Sequence, residues 1–237
     1  TAGAGNHLAK SHDFANAPDR KYFELSLDPK AVRATIEEVA RRGELQKRFE
    51  KIRSAEVKRA FHLKAAGAWD MDVPLVAIRN ISLAECTDLF HDIFRELGTW
   101  YGAEFDALLD SANNRFDIVP GGAPNRAGGG FSLGYAGAQS ALFVGTYDGT
   151  YKDLSVIAHE GGHAVHRALM NAHRVSPNYT SGPNFMFESF AEFNELILAD
   201  YMSAHAKDPV TKRYYDERFL RVKGLDFLSG AQDAELE

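Results

Sequence analysis

Two histidines four residues apart, with a glutamate after the first, constrain this chain more than any other feature: His159-Glu160-Gly161-Gly162-His163. On an α-helix, positions i and i+4 differ by about 40° in azimuth, so both imidazoles leave the same face. Two imidazoles at that spacing can hold one zinc ion. Glu160 then reaches a water beside the ion as general base. The motif acts only if the segment is helical.

The flanking residues predict that helix. In Asp153–Met170, Leu154, Ile157, Ala158, Val165, Ala168 and Leu169 recur at helical spacing. Asp153 suits the N-cap or first turn, and Arg167 lies towards the C-terminal end. Gly161 and Gly162 run against the pattern, since each costs about 1 kcal/mol relative to Ala inside a helix. A glycine pair there implies that another backbone or a substrate comes close.

A catalytic zinc site takes three protein ligands and keeps a fourth position open. The first carboxylate after His163 is Glu188. It belongs to a second expected helix, residues 184–201, in which Glu188, Glu192 and Glu195 form one acidic stripe at i, i+4 and i+7. Phe185, Phe187, Phe190, Phe193, Leu196 and Ile197 occupy much of the remaining surface, so this helix is expected to be buried. Buried carboxylates need a partner or a metal. The preferred reading puts Glu188 on zinc and has Glu192 or Glu195 orient a ligand histidine from behind; a solvated charged face is the alternative for all three, least so for Glu188. His166 and His173 compete as third ligands. His166 shares the helix face of the first two histidines and sits too close to them to complete a tetrahedron easily, so it is read as supporting or packing. A metzincin arrangement needs Gly and His where this chain has His166 and Leu169, and is excluded.

The stretch from about residue 114 to 201 resembles the thimet-oligopeptidase and oligoendopeptidase F family of zinc metallopeptidases, the M3 peptidases. The family pattern is H-E-x-G-H-x-x-H, matched in its extra positions by Gly162 and His166. Its third ligand is a Glu on a following helix, 29 residues after the first His, which is the spacing from His159 to Glu188. Glu188-Ser-Phe-Ala-Glu-Phe-Asn-Glu195 is similar to the family's E-x-A-S-x-F-N-E segment. Ala68-Trp69-Asp70 resembles a Trp-Asp element upstream of the core. Gly128–Phe131 and Ala141–Gly149 resemble the two strands that flank the cleft. Taken together, the match extends from Trp69 to the C-terminus. The resemblance implies a zincin-like core with one zinc ion per chain on His159, His163 and Glu188, Glu160 as general base, and short peptides as substrates. Gly161 departs from the family, which more often has a larger residue there. Family members are several hundred residues long. Their tyrosine and histidine residues that polarise the scissile carbonyl lie downstream of the third ligand, and those roles fall on no residue here.

Composition narrows the partners. A net charge of −6 and a pI of about 5.9, with no basic patch, argue against nucleic acid. No run of 18 apolar residues exists to span a membrane, and no secretory signal opens the chain. Cys86 is the lone cysteine, so no internal disulfide forms, which fits a reducing compartment; a cytoplasmic location is expected. The ends read as cut. Thr1 stands first, and the helical spacing of Phe219, Val222, Leu225 and Leu228 runs on without a cap signal. The missing C-terminal part, or a partner chain, is expected to complete the site.

Along the chain, residues 1–10 read as a mobile terminus. Asp28-Pro29 is a strong helix start, and that helix is expected to run to about Arg42 and on past Gly43 to about Lys64. Helices are also expected over 82–97, with His91 an ordinary surface residue, and over 103–110. Strands are expected over 115–119 and 140–146. The glycine-rich loop 121–130 between them is either a hairpin connection or an edge that substrate backbone approaches. The expected architecture is mainly α with a small β-sheet: an N-terminal helical segment, 1–70, and a zinc metallopeptidase core, 71–237. The expected activity is hydrolysis of short peptides through a zinc-activated water, with an edge strand near Gly129–Phe131 or Phe143–Thr146 binding substrate by strand addition. The alternative is a catalytically incomplete zinc-binding fragment that serves as a peptide-binding or structural module.

Overall fold

A computed structural model of the chain describes residues 2–134, 138–179, 182–221, 228 and 230. The helical spacing read at Val222 and Leu225 lies outside the described residues. The chain divides into two compact units, Thr1–Leu75 with Leu220–Glu237, and Val76–Phe219.

The first unit is helical. Helix α1 spans Ala2–Lys10, α2 Ala17–Glu24, α3 Pro29–Ala40 and α4 Glu44–Ala60. The terminus expected to be mobile is thus a helix, held where the Ala17 N–H donates to Asn6 Oδ1 at 2.8 Å. Asp28 caps α3 as read, its carboxylate accepting from the Lys30 N–H at 2.9 Å, with Pro29 following. The single long helix expected over 29–64 is two helices. The chain turns at Arg41–Gly43, where the Gly43 N–H bonds to Ala40 O in place of a continued helical ladder. Helix α4 ends at Ala60 because His62 takes a left-handed conformation (φ 54°) and the Leu63 N–H reaches back to Lys58 O at 3.0 Å. Ala68–Asp70 forms one 3-10 turn, pinned by the Asp70 carboxylate on the Gly67 N–H.

The second unit is built on one apolar core. Helix α5, Leu83–Phe94, starts with a capping box of Ser82 and Glu85 and continues as a 3-10 turn over Arg95–Leu97. Helix α6 spans Thr99–Leu109. Cys86, Phe90 and Ile93 point inward as their spacing predicts, and Phe94 joins them, its ring centroid 4.1 Å from that of Phe105. Three strands follow: β1 Phe116–Pro120, β2 Gly130–Leu133 and β3 Ala141–Tyr147. They form a sheet ordered β1-β3-β2, with β1 parallel and β2 antiparallel to β3. Loop 121–129 is therefore no hairpin connection, because β1 and β2 do not pair. It crosses β3, held by Arg126, which donates to Gly145 O and pairs with Asp117 at 3.0 Å. Phe143–Thr146 is excluded as a substrate edge for the same reason: β3 is central and paired on both sides.

Helix α7, Tyr151–Ala172, packs against this sheet and α6; α8, Asn184–Ala204, packs on α7 and touches α5, and α9 covers Pro209–Leu220. Leu154, Ile157, Ala158 and Val165 of α7 meet Leu142 and Val144 of β3 and Leu198 of α8 in the core. Helix α8 is less uniformly covered than its composition suggests, because Phe193 is half exposed. Among the described residues, no helix is long and apolar enough to cross a membrane.

Candidate metal centre

Helix α7 begins where Thr150 and Asp153 form a capping box, and the Asp153 carboxylate also takes the Asp148 N–H at 3.0 Å. Asp153 is thus the third residue of the helix rather than its cap. This start sets the register in which His159 and His163 leave the helix on the side of α8. The two glycines between them have separate explanations. A Cβ on Gly161 would stand 2.4 Å from the Phe105 ring of α6. A Cβ on Gly162 would stand 2.6 Å from Phe190 O and 2.8 Å from the Ala191 Cα of α8. Close approach of a second helix backbone, one of the two possibilities left open by the sequence, accounts for Gly162.

That approach brings Glu188 over the histidine pair. The Nε2 atoms of His159 and His163 each lie 3.4 Å from Glu188 Oε2. One donor atom from each of the three residues falls within a span of 4.8 Å, a grouping able to hold a metal ion. An ion bound tetrahedrally at about 2.0–2.2 Å from N and O donors separates them by about 3.3–3.6 Å. The two His–Glu distances match that requirement. Two neutral nitrogens and one carboxylate also suit zinc in donor type. Glu188 keeps 37% of its side-chain surface exposed, so the open side of the group faces solvent.

The surroundings fix the histidines. His159 Nδ1 lies 2.7 Å from Glu195 Oε1, which leaves Nε2 as the atom facing Glu188. Ser155 Oγ donates to the other Glu195 oxygen. Of the two carboxylates considered for that role, Glu195 makes the bond to His159 and Glu192 is exposed. Burial opposes charge on His159, but the Glu195 hydrogen bond and the carboxylates of Glu195, Glu160 and Glu188 outweigh it and raise its pKa. His163 is pushed down to about 4, first by burial and then by His159 and Arg167. Its ring stacks on Phe187 at 3.9 Å and its buried Nδ1 has no well-formed hydrogen bond. His166 is buried and stacked on Phe190 at 4.0 Å, which makes it a packing residue in this structure. His173 is the exposed C-cap of α7, away from the group.

Glu160 stands beside the group, half-buried. Burial raises its pKa, Glu188 adds to the rise, and His159 and the Ser132 N–H and hydroxyl oppose it. Several supporting residues escaped the sequence reading. Asn194, fully buried, donates to Ala158 O at 3.0 Å and accepts from Tyr101 Oη at 2.6 Å, tying α6, α7 and α8 together next to His159 and Glu195. Ser132 had a usable signal, a small polar residue between the apolar Phe131 and Leu133 of a strand.

Comparison with known proteins places this fold. No protein-family profile and no curated protein matches the chain. Two solved structures do. One is a candidate peptidase from Chlamydophila abortus (TM-score 0.75, 21% identity), which aligns with 98% of this chain. The other is a candidate oligoendopeptidase F from Bacillus anthracis (TM-score 0.70, 18% identity), which aligns with 93%. The chain spans only 38% and 40% of their lengths. At these identities the likeness establishes a shared fold.

Proposed function

We propose that this chain is the metal-bearing core of a zinc-dependent peptidase of the oligoendopeptidase type, acting on short peptides. The observation that carries the reading is the convergence of His159 Nε2, His163 Nε2 and Glu188 Oε2, with Glu160 alongside and Glu195 behind. The shared fold with a candidate peptidase and a candidate oligoendopeptidase F supports it. Within the chain, the unit Val76–Phe219, rather than the whole of 71–237, would form the catalytic core. His159, His163 and Glu188 would hold one zinc ion. Bound zinc supplies Lewis acidity towards a carbonyl and acidifies water towards neutrality.

The chain's own residues do the rest. Glu195 holds the His159 tautomer and Phe187 holds the His163 ring plane. Glu160 takes a proton from the attacking water and passes it to the leaving amine. Edge strand β2 offers backbone groups to an extended peptide.

The test is hydrolysis of a quenched fluorescent peptide library by the zinc-loaded chain beside Glu160→Gln. Cleavage by the parent and none by the variant, with equal zinc content, is the expected result; full activity in the variant would exclude Glu160 as the base. A second reading is favoured by the 38–40% coverage of the neighbours: a zinc-binding module that cleaves only with further protein present. One bound zinc per chain without turnover would select it.

A further inference from the structure

Strand β2 is an edge, and an edge strand turns every second residue's N–H and C=O away from its partner. The Gly145 N–H donates to Gly129 O at 2.9 Å, so those two residues face each other in hydrogen-bonded register. Counting on by two along the antiparallel pairing, Phe131 and Leu133 face β3, and Gly130 and Ser132 turn their backbone groups outward.

At Ser132 the outward groups are met by α7. Arg167 Nη1 donates to Ser132 O at 3.3 Å and to Ser132 Oγ at 2.7 Å. The Ser132 N–H and hydroxyl both engage the Glu160 carboxylate. A serine hydroxyl has one proton and two lone pairs, so it can donate to Glu160 while it accepts from Arg167. Ser132 is buried, which leaves these groups little water as a substitute partner. The strand can lie this close because Gly130 has no side chain: a Cβ there would stand 2.5 Å from Val156 Cγ1 and 3.5 Å from Glu160 Cγ.

We propose that α7 seals the free edge of β2 at Ser132, Glu160 and Arg167 standing where an added strand would bond. This makes Ser132 and Arg167 positioning residues for Glu160 and confines an added peptide strand to Gly130. An extended peptide can pair its backbone with Gly130, next to Glu160, but cannot run on along Ser132 towards Leu133. The consequence for turnover rests on the peptidase reading; the seal itself does not.

The first test therefore needs neither metal nor activity. Residue-resolved amide hydrogen exchange on the metal-free chain should show Ser132 protected alongside Phe131, whose N–H faces β3. In Glu160→Ala the Ser132 amide should exchange faster by about tenfold or more while Phe131 is unchanged. Glu160→Leu repeats the test with side-chain bulk retained, and circular dichroism checks the fold of both variants. A Ser132 amide unprotected in the parent, or equally protected in both variants, overturns the seal. In the zinc-loaded chain, Ser132→Ala should lower kcat about tenfold at unchanged KM, and Ser132→Thr should recover most of it. Unchanged kcat in Ser132→Ala overturns the positioning role. Absence of turnover in the parent, with Ser132 protection intact, would fault the peptidase reading and leave the seal standing.

Discussion

Glu195 carries more of the candidate site than its distance from the ligand group suggests. It holds His159 Nδ1 at 2.7 Å and is itself held by Ser155. Removing such an outer carboxylate costs about tenfold to a hundredfold in metal affinity. Glu195→Ala is expected to weaken zinc binding by that factor without unfolding the chain, measured by competition against a chelating indicator; an unchanged affinity would remove Glu195 from the site. The sequence narrowed this role to two residues on one stripe. Only the packing of α8 on α7 chose between them, because which face of a helix meets its neighbour depends on long-range contacts. At the other extreme lies Cys86, fully buried, its thiol pushed up to about 12 by burial. It should resist a thiol-specific disulfide reagent in the native state and react on unfolding; rapid native-state labelling would contradict the core described here.

At the scale of elements, the site depends on how closely α8 approaches α7. Gly162 sets that approach. Alanine should gain about 1 kcal/mol in helix propensity, but its Cβ would press on the α8 backbone at 2.6–2.8 Å, and neither backbone can yield cheaply. Overpacking of that kind costs about 1–3 kcal/mol or more. Gly162→Ala is expected to lower the chemical denaturation midpoint and weaken zinc binding together; a stabilised variant would show the approach to be looser. Tyr101→Phe tests the buried Asn194 link between the same helices. Asn194 keeps its bond to Ala158 O but loses the proton on Oδ1, a loss of about 1–3 kcal/mol for a buried acceptor.

The elements themselves were largely legible. Helices α5, α7 and α8 follow from apolar spacing, and α7 also from Asp153 in its first turn, since those signals are local. Three features were not. The break at Gly43 has no side-chain cap and leaves the Gly43 backbone itself helical (φ −55°, ψ −18°), so no local signal marks it. The sheet order β1-β3-β2 depends on pairings between distant segments. The capping of the β2 edge depends on side chains of α7 more than twenty residues away.

For the molecule as a whole, the proposed zinc site would couple metal binding to folding. The three candidate ligands come from α7 and α8, in the unit Val76–Phe219, and an ion bound there would favour the native state over the unfolded one. Free zinc at a hundred times its dissociation constant adds about 2.7 kcal/mol of stability. Chelator should reverse the gain, and Glu188→Ala should show little of it. The architecture, mainly helical with one small sheet, was readable from composition and motif order. How the chain divides was not, because the division rests on long-range contacts rather than on a local signal.

The most direct measurement is a zinc titration of the metal-free chain and of Glu188→Ala and His163→Ala, read by competition with an indicator and by elemental analysis. The account predicts one tightly held zinc per parent chain and a loss of affinity of several orders of magnitude in each variant, with both variants still folded. A parent that binds no zinc, or a Glu188→Ala chain that binds as tightly as the parent, would contradict it.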